Sequence, residues 1–170
     1  DLGADWSDAR NPNAAVFGTW SYRQGTTLLP EVTNWNGAGT VGFTATQPAW
    51  APSDLTGSFL PAAFKALSVP SGVDWRVGDV VVHTTDVVNG GSNGPVNFLW
   101  TSPSAGTVTI SGSLWDARFI SGRDNAWTLF VDGVAVSSGA SIEGVSRAHP
   151  FSLASGTGGL AALTRTVVAG

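Results

Sequence analysis

The sequence predicts an all-β domain: a two-sheet antiparallel β-sandwich, jelly-roll-like, with at most one short helix. Three observations predict it. Helical periodicity is nearly missing, alternating or β-branched segments recur at intervals of ~10 to 20 residues, and Gly, Pro and Asn fill the connections. With 22 Gly and 9 Pro in 170 residues, turn formers are dense enough to supply that many connections. No composition shift divides the chain, so residues 1–170 read as a single β-sandwich domain. A domain of this length buries roughly 70% of the surface its unfolded form exposes, so a full core is available.

The elements follow in chain order. Gly18-Thr19-Trp20-Ser21-Tyr22 alternates apolar and polar residues and reads as a strand. The stretch from Asn34 to Asp54 is long, irregular and rich in Gly, Asn, Thr and Pro, as functional loops and loops packed over one end of a barrel are. Ser58–Leu67 is the one helical candidate, because Phe59, Ala63 and Ala66 share a face at helical spacing; Pro61 limits it to about two turns. Asp79–Thr84 is a β-branched run entered through Val77-Gly78, which favours a strand. Val96–Thr101 and Thr107–Leu114 flank the turn-rich Ser102-Pro103-Ser104-Ala105-Gly106 and read as a hairpin. Ala126–Val131 and Val134–Ser137 flank Asp132-Gly133, a two-residue type I′ signal, and read as a second hairpin. Thr164–Val168 is the last strand. Alternation assigns Trp100, Ile110, Leu129 and Val131 to the core.

Only 12% of the residues are charged, about half the usual share. Lys65 is the single lysine, and the formal net charge is −4. An acid-rich chain with few cations disfavours nucleic acid and anionic membranes as partners. No stretch approaches the ~20 consecutive apolar residues of a membrane-spanning helix, which argues against direct membrane insertion. Cysteine is absent, which excludes disulfides, thiolate metal sites and a Cys nucleophile. Low charge with abundant Thr, Ser, Gly and Trp points to a secreted, extracellular bacterial protein. Asp1-Leu2-Gly3 lacks the basic and apolar regions of a signal peptide and reads as a mature, processed start or an expression boundary.

Catalytic patterns are weak. His83 and His149 stand in no metal-ligand spacing, and although Asp86 follows His83 by three residues, no GxSxG elbow accompanies it. Asp116, Asp124 and Glu143 are the carboxylates available for paired acid-base work, but aspartates beside Gly, Asn or Ser commonly form Asx turns. No cofactor is expected. A structural calcium is the one inorganic group the loops can hold, with Asp5, Asp8 and Asn11, or Asp116, Asp124 and Asn125, as ligand types; the chain lacks a DxDxDG pattern.

Tryptophan is the unusual feature, with 8 residues against a single tyrosine. Trp100 and Trp127 lie in alternating strands and are assigned to the core. Trp35, Trp50, Trp75 and Trp115 fall at loops or strand ends, where a ring is either a plug over the core or an exposed platform for a sugar ring. Around Trp115 the segment Leu114–Asn125 mixes a ring, two guanidinium groups, two carboxylates and an amide, side chains that bind vicinal hydroxyls or carboxylates of a glycan. The expected ligand-binding set is therefore Trp115, Asp116, Arg118, Arg123, Asp124 and Asn125, together with Trp50. The competing reading makes Arg118 with Asp116 and Arg123 with Asp124 surface ion pairs of small energetic effect.

Several segments together carry a family resemblance. They are Asp5-Trp6-Ser7 with Asn11-Pro12-Asn13, Gly18–Tyr22, Gln47-Pro48-Ala49-Trp50, Gly78–Thr84, Trp100–Gly112 and Trp127–Gly133. Over residues 5–170 the chain resembles the extracellular β-sandwich domain of exosortase-sorted (PEP-CTERM type) bacterial surface proteins. The resemblance implies secretion to the cell envelope or extracellular matrix and a likeness to carbohydrate-binding jelly rolls. It assigns no binding residues. Family members continue past the Ala-Gly pair with one or two more strands and often a Pro-Glu-Pro sorting tail. The resemblance therefore implies that the last strands lie beyond Gly170, and that the edge they would cover is filled either by a strand from another copy or by C-terminal residues that this sequence does not include. Three functions compete: a glycan-binding module, a self-assembling filament subunit, and, third, a polysaccharide-active hydrolase or lyase. The expected partners are a polysaccharide or further copies of the chain.

Overall fold

The computed structural model describes residues 1–35, 46–52, 60–84, 94–118, 125–139 and 144–170. These residues form an all-β, sandwich-like fold of antiparallel sheets, and the only helical segments among them are two short 3₁₀ turns. The chain divides into two compact units, the first formed by Asp1–Ser71 with Trp75–Thr101 and the second by Gly72–Asp74 with Ser102–Gly170. Among the described residues no helix is long and apolar enough to cross a membrane.

The first unit contains β1 (Thr19–Gln24), β2 (Thr27–Leu28), β3 (Glu31–Trp35), β4 (Gln47–Trp50), β5 (Ala62–Lys65), β6 (Val80–His83) and β7 (Val96–Thr101). One sheet has the order β2-β1-β7 and the other β3-β4-β5-β6. Tyr22 of the first sheet stacks on Trp50 of the second, with centroids 5.5 Å apart and planes 18° apart. Trp6 lies 4.5 Å from the same phenol ring, and Phe98 meets it edge-on at 6.0 Å. Tyr22, Leu29 and Trp50 are the buried centre of this cluster. A further aromatic row, Trp35 on Phe64 at 4.9 Å and Phe64 on Trp75 at 5.8 Å, fills the core beside β5.

Strand β2 is too short to cover β1, pairing only Arg23 and Gln24. Two asparagine amides complete the ladder instead. Asn11 accepts from the Tyr22 N–H at 2.9 Å and donates to the carbonyls of Tyr22 and Leu29 at 2.7 and 2.9 Å. Asn13 accepts from the Trp20 N–H at 2.7 Å through its side chain and donates its own N–H to the Trp20 carbonyl. Backbone groups of a buried strand cost free energy if left unpaired, so these amides hold residues 11–13 along β1. The same region holds the residues of the first calcium expectation. Asn11 Oδ1 serves β1, Asp8 Oδ1 accepts from Trp6 Nε1 at 2.7 Å, and no group of three or more His, Asp or Glu gathers at metal-holding distance among the described residues.

The helix expected at Ser58–Leu67 is corrected: Ala62–Lys65 is strand β5, while 58 and 59 lie outside the described residues. Ala62, Ala63 and Phe64 are all buried, and β5 is hydrogen-bonded to β4 on one side and β6 on the other. A strand covered on both faces shows a continuous apolar run without alternation, which periodicity cannot tell from a buried helix.

The second unit contains β8 (Gly106–Thr109), β9 (Ser113–Leu114), β10 (Trp127–Val131), β11 (Val134–Gly139), β12 (Phe151–Ser152) and β13 (Thr164–Val167), with 3₁₀ turns at Leu153–Ser155 and Leu160–Leu163. The β10–β11 hairpin forms as expected. Asp132 and Gly133 have φ of 51° and 76°, the pair of positive values a type I′ turn requires. The hairpin expected between Val96–Thr101 and Thr107–Leu114 is corrected. β7 pairs with β1, and the second segment breaks at Ile110–Gly112 into β8, paired with β13, and β9, paired with β12. A turn-rich pentapeptide permits a hairpin but does not choose partners.

Trp100, Ile110, Leu129 and Val131 are half-buried, so they face inward without reaching the deepest core. In β10 the alternation holds, with Thr128 and Phe130 exposed between half-buried Trp127, Leu129 and Val131. Trp127 meets Phe151 edge-on at 5.9 Å. Among the tryptophans the tightest burial instead falls to Trp35, Trp50 and Trp75, at 1%, 4% and 4% exposure, so these three rings are plugs.

Tyr22 supplies a pH prediction. Burial pushes its phenol above its ordinary value of 10.0, outweighing the Ser7 N–H that donates to the oxygen. A raised folded value means the folded state holds the proton more tightly, so this contribution is complete below the unfolded pKa and lost as pH rises through the folded one. As the only tyrosine, Tyr22 accounts for the whole phenolate absorbance signal. The expected titration has one midpoint above 10.0 with stability falling over the same range, and a midpoint at or below 10.0 contradicts the burial argument.

Candidate functional site

Strand β9 ends at Leu114 and delivers Trp115 directly after it. The indole Nε1 donates to the Asp74 carbonyl at 2.6 Å, and the Asp74 N–H donates to the Ala117 carbonyl at 2.8 Å. The Asp74 carboxylate accepts from the Arg147 N–H at 2.7 Å, and the Asp116 N–H donates to the Val145 carbonyl at 3.1 Å. Three segments far apart in sequence, 72–74, 115–118 and 145–147, are thereby tied together. The Arg147 guanidinium carbon lies 5.6 Å from the Trp115 ring centroid, within cation–π range.

This arrangement fixes the ring. Its N–H is committed to a backbone acceptor, its edge is anchored, and Trp115 stays half-buried rather than enclosed. The Arg147 guanidinium lies over one face of the half-exposed indole, which joins an aromatic surface to a cation at one place.

The remaining expected residues divide. Asp116 is 8% exposed, and its Oδ1 accepts from the Arg118 N–H at 3.0 Å, so it forms an Asx turn that shapes the segment from within. Arg118 and Asn125 are half-buried. Arg123 and Asp124 lie outside the described residues, as do Glu143 and Asp86. The second calcium set includes Asp124, so it too falls outside them. His83 Nδ1 is 2.7 Å from the Thr84 carbonyl, and His149 is exposed.

Trp50 is corrected. Expected as a binding platform, it is 4% exposed, stacked on Tyr22, with Nε1 donating to the Ser7 carbonyl at 2.9 Å. No face of the ring is open to a ligand. Asp74 and Arg147 are the partners that sequence reasoning missed. Neither has a local signal, because what places them is a pair of hydrogen bonds between side chain and backbone spanning 41 and 73 residues.

No protein-family model, no curated protein and no solved structure matches the chain.

Proposed function

We propose that this chain is a non-catalytic β-sandwich module of a secreted, envelope-associated protein of the exosortase-sorted surface type, and that it binds carbohydrate. The observation that carries the reading is the Trp115 ring, pinned at Nε1, half-exposed, and flanked by Arg147. A fixed aromatic face loses little conformational entropy on binding, which is how such rings yield affinity from modest contact area.

Affinity electrophoresis in a panel of neutral and acidic polysaccharides tests it. Trp115→Ala is expected to weaken retention about tenfold, the effect of losing ~1.4 kcal/mol of contact. Trp115→Phe keeps a ring and is expected to retain most of the binding. Equal retention of Trp115→Ala and wild type contradicts the assignment of the ring, and no retention on any polysaccharide contradicts the function.

Self-assembly is the second reading, favoured by the β10–β11 hairpin. Phe130 is 59% and Val134 64% exposed, and among the described residues neither strand pairs with a third strand, Thr157 bonding only the Ser138 end of β11. Unpaired edges beside exposed apolar side chains are templates for another chain. Light scattering after gel filtration distinguishes the two, since a stable monomer that binds glycan excludes an obligate filament subunit.

A further inference from the structure

In the first unit, residues 2–7 precede the first strand and lie as a short arm against the body of the unit. Leu2 and Trp6 pack on the Tyr22–Leu29–Trp50 cluster, with the Trp6 ring 4.5 Å from that of Tyr22. Four side chains of the body bond the main chain of the arm. Lys65 Nζ donates to the Gly3 carbonyl at 2.8 Å, Asn13 Nδ2 to the Asp5 carbonyl at 2.6 Å and Trp50 Nε1 to the Ser7 carbonyl at 2.9 Å, while the Tyr22 hydroxyl accepts from the Ser7 N–H at 3.3 Å. Spaced apolar anchors combined with bonds to peptide groups are how a groove recognises a peptide segment. Asn13, Tyr22 and Trp50 are at most 5% exposed with the arm in place, so the arm is part of what covers them.

The arm and its linker are built differently. Bonds within the arm hold its shape: the Asp5 N–H donates to the Asp1 carbonyl at 2.8 Å, and Trp6 Nε1 donates to Asp8 Oδ1 at 2.7 Å. Asp8, Ala9 and Arg10, which join the arm to the body, are all exposed. Their turn is closed by Ser7 Oγ, which accepts from the N–H groups of Ala9 and Arg10 at 3.2 and 3.0 Å. At Asn11 the chain is fixed again, bonded to Tyr22 and Leu29. Straightening residues 8–10 therefore swings the arm out as a unit, and the linker bonds it breaks are the two to Ser7 Oγ.

We infer that this groove is an interaction surface for a second copy of the chain, whose arm occupies it by exchange. The structure names the occupant: the segment seated in the groove is residues 2–7, and every copy carries that segment. Each contact between arm and body is the same whether the two belong to one chain or to two, so exchange alters only the linker and the effective concentration. A short linker corresponds to an effective concentration in the millimolar range, so closed monomers and exchanged dimers balance near that concentration. Three residues span at most about 10 Å, so the two copies meet beside this end of the first unit. The inference rests neither on the carbohydrate reading, which Trp115→Ala tests separately, nor on the β10–β11 edge.

Ala9→Pro tests it on the whole chain. Proline removes the Ala9 N–H and disfavours a folded-back backbone at Asp8, which biases the linker towards extension without altering any contact between arm and groove. Native mass spectrometry and light scattering read the dimer fraction from micromolar to millimolar protein. Wild type is expected to dimerise only near the millimolar end, and Ala9→Pro at concentrations about tenfold lower or less. Excess synthetic peptide of residues 1–8 is expected to convert the Ala9→Pro dimer to monomers carrying one peptide each, and the same peptide with Trp6→Ala is expected to leave the dimer intact. Ala9→Pro that stays monomeric at millimolar concentration overturns the inference. A dimer that the unaltered peptide does not dissociate is held by another contact and also overturns it, with loss of that dimer in Phe130→Asp placing the contact on the hairpin. Equal competition by the two peptides removes Trp6 as an anchor and overturns the assignment of the groove.

Discussion

Trp50→Ala is expected to lower stability by ~3–5 kcal/mol, the range for deleting a large buried aromatic side chain. The indole is 4% exposed and stacks on Tyr22, so its removal empties the middle of the cluster joining the two sheets of the first unit. It also leaves the Ser7 carbonyl without its donor, although that carbonyl can recover a bond from entering water. Trp50→Phe keeps most of the apolar volume and loses the hydrogen bond, so it is expected to cost less than half as much. Urea unfolding followed by near-ultraviolet circular dichroism, which reports on the packed aromatic cluster, is the measurement. A melting midpoint unchanged by Trp50→Ala, with glycan binding abolished, makes the ring a platform after all.

Gly18→Ala is the next largest, at roughly 2–5 kcal/mol. Two separate costs contribute: the left-handed backbone at φ 109° penalises any side chain by about 1–2 kcal/mol, and forcing a methyl into a filled space adds about 1–3 kcal/mol. A Cβ built at this position sits 2.1 Å from Trp100 Nε1 and 2.8 Å from the Thr101 carbonyl oxygen. Trp100 cannot swing aside without releasing the Phe17 carbonyl, and Thr101 is held in register against Thr19 across β1 and β7. Gly25→Ala separates the two costs, because Gly25 has φ of 58° and nothing within 4 Å of its would-be Cβ. It carries the backbone cost alone. Equal destabilisation of the two variants by thermal melting refutes the clash with Trp100. A large excess for Gly18→Ala supports both the close approach and the rigidity of the Val16-Phe17 turn next to it.

Wherever a local rule sufficed, the sequence by itself determined the outcome. Alternation located β1, β7 and β10, a β-branched run located β6, and Asp132-Gly133 defined the hairpin, because a type I′ turn needs two adjacent residues that tolerate positive φ. Missing helical periodicity, recurring alternating or β-branched segments and dense turn formers sufficed for the all-β class. The tertiary structure alone decided pairing and burial. The turn-rich residues 102–106 look like the tip of a hairpin, yet β7 joins β1, more than 70 residues earlier, and β8 joins β13. The run Ala62-Ala63-Phe64 looks helical by spacing and becomes a central strand because neighbours cover it on both sides. Tryptophan identity left platform and plug equally open; partners from distant segments made Trp35, Trp50 and Trp75 plugs and left Trp115 half-exposed. Asn11, read from sequence as a calcium ligand type, and Asn13 became surrogate backbone for β1 because β2 is two residues long. Turn type and alternation are encoded within a few residues of where they act. A partner, a burial depth or a vacant ladder position is a property of chain that lies elsewhere, and only folding brings it into contact.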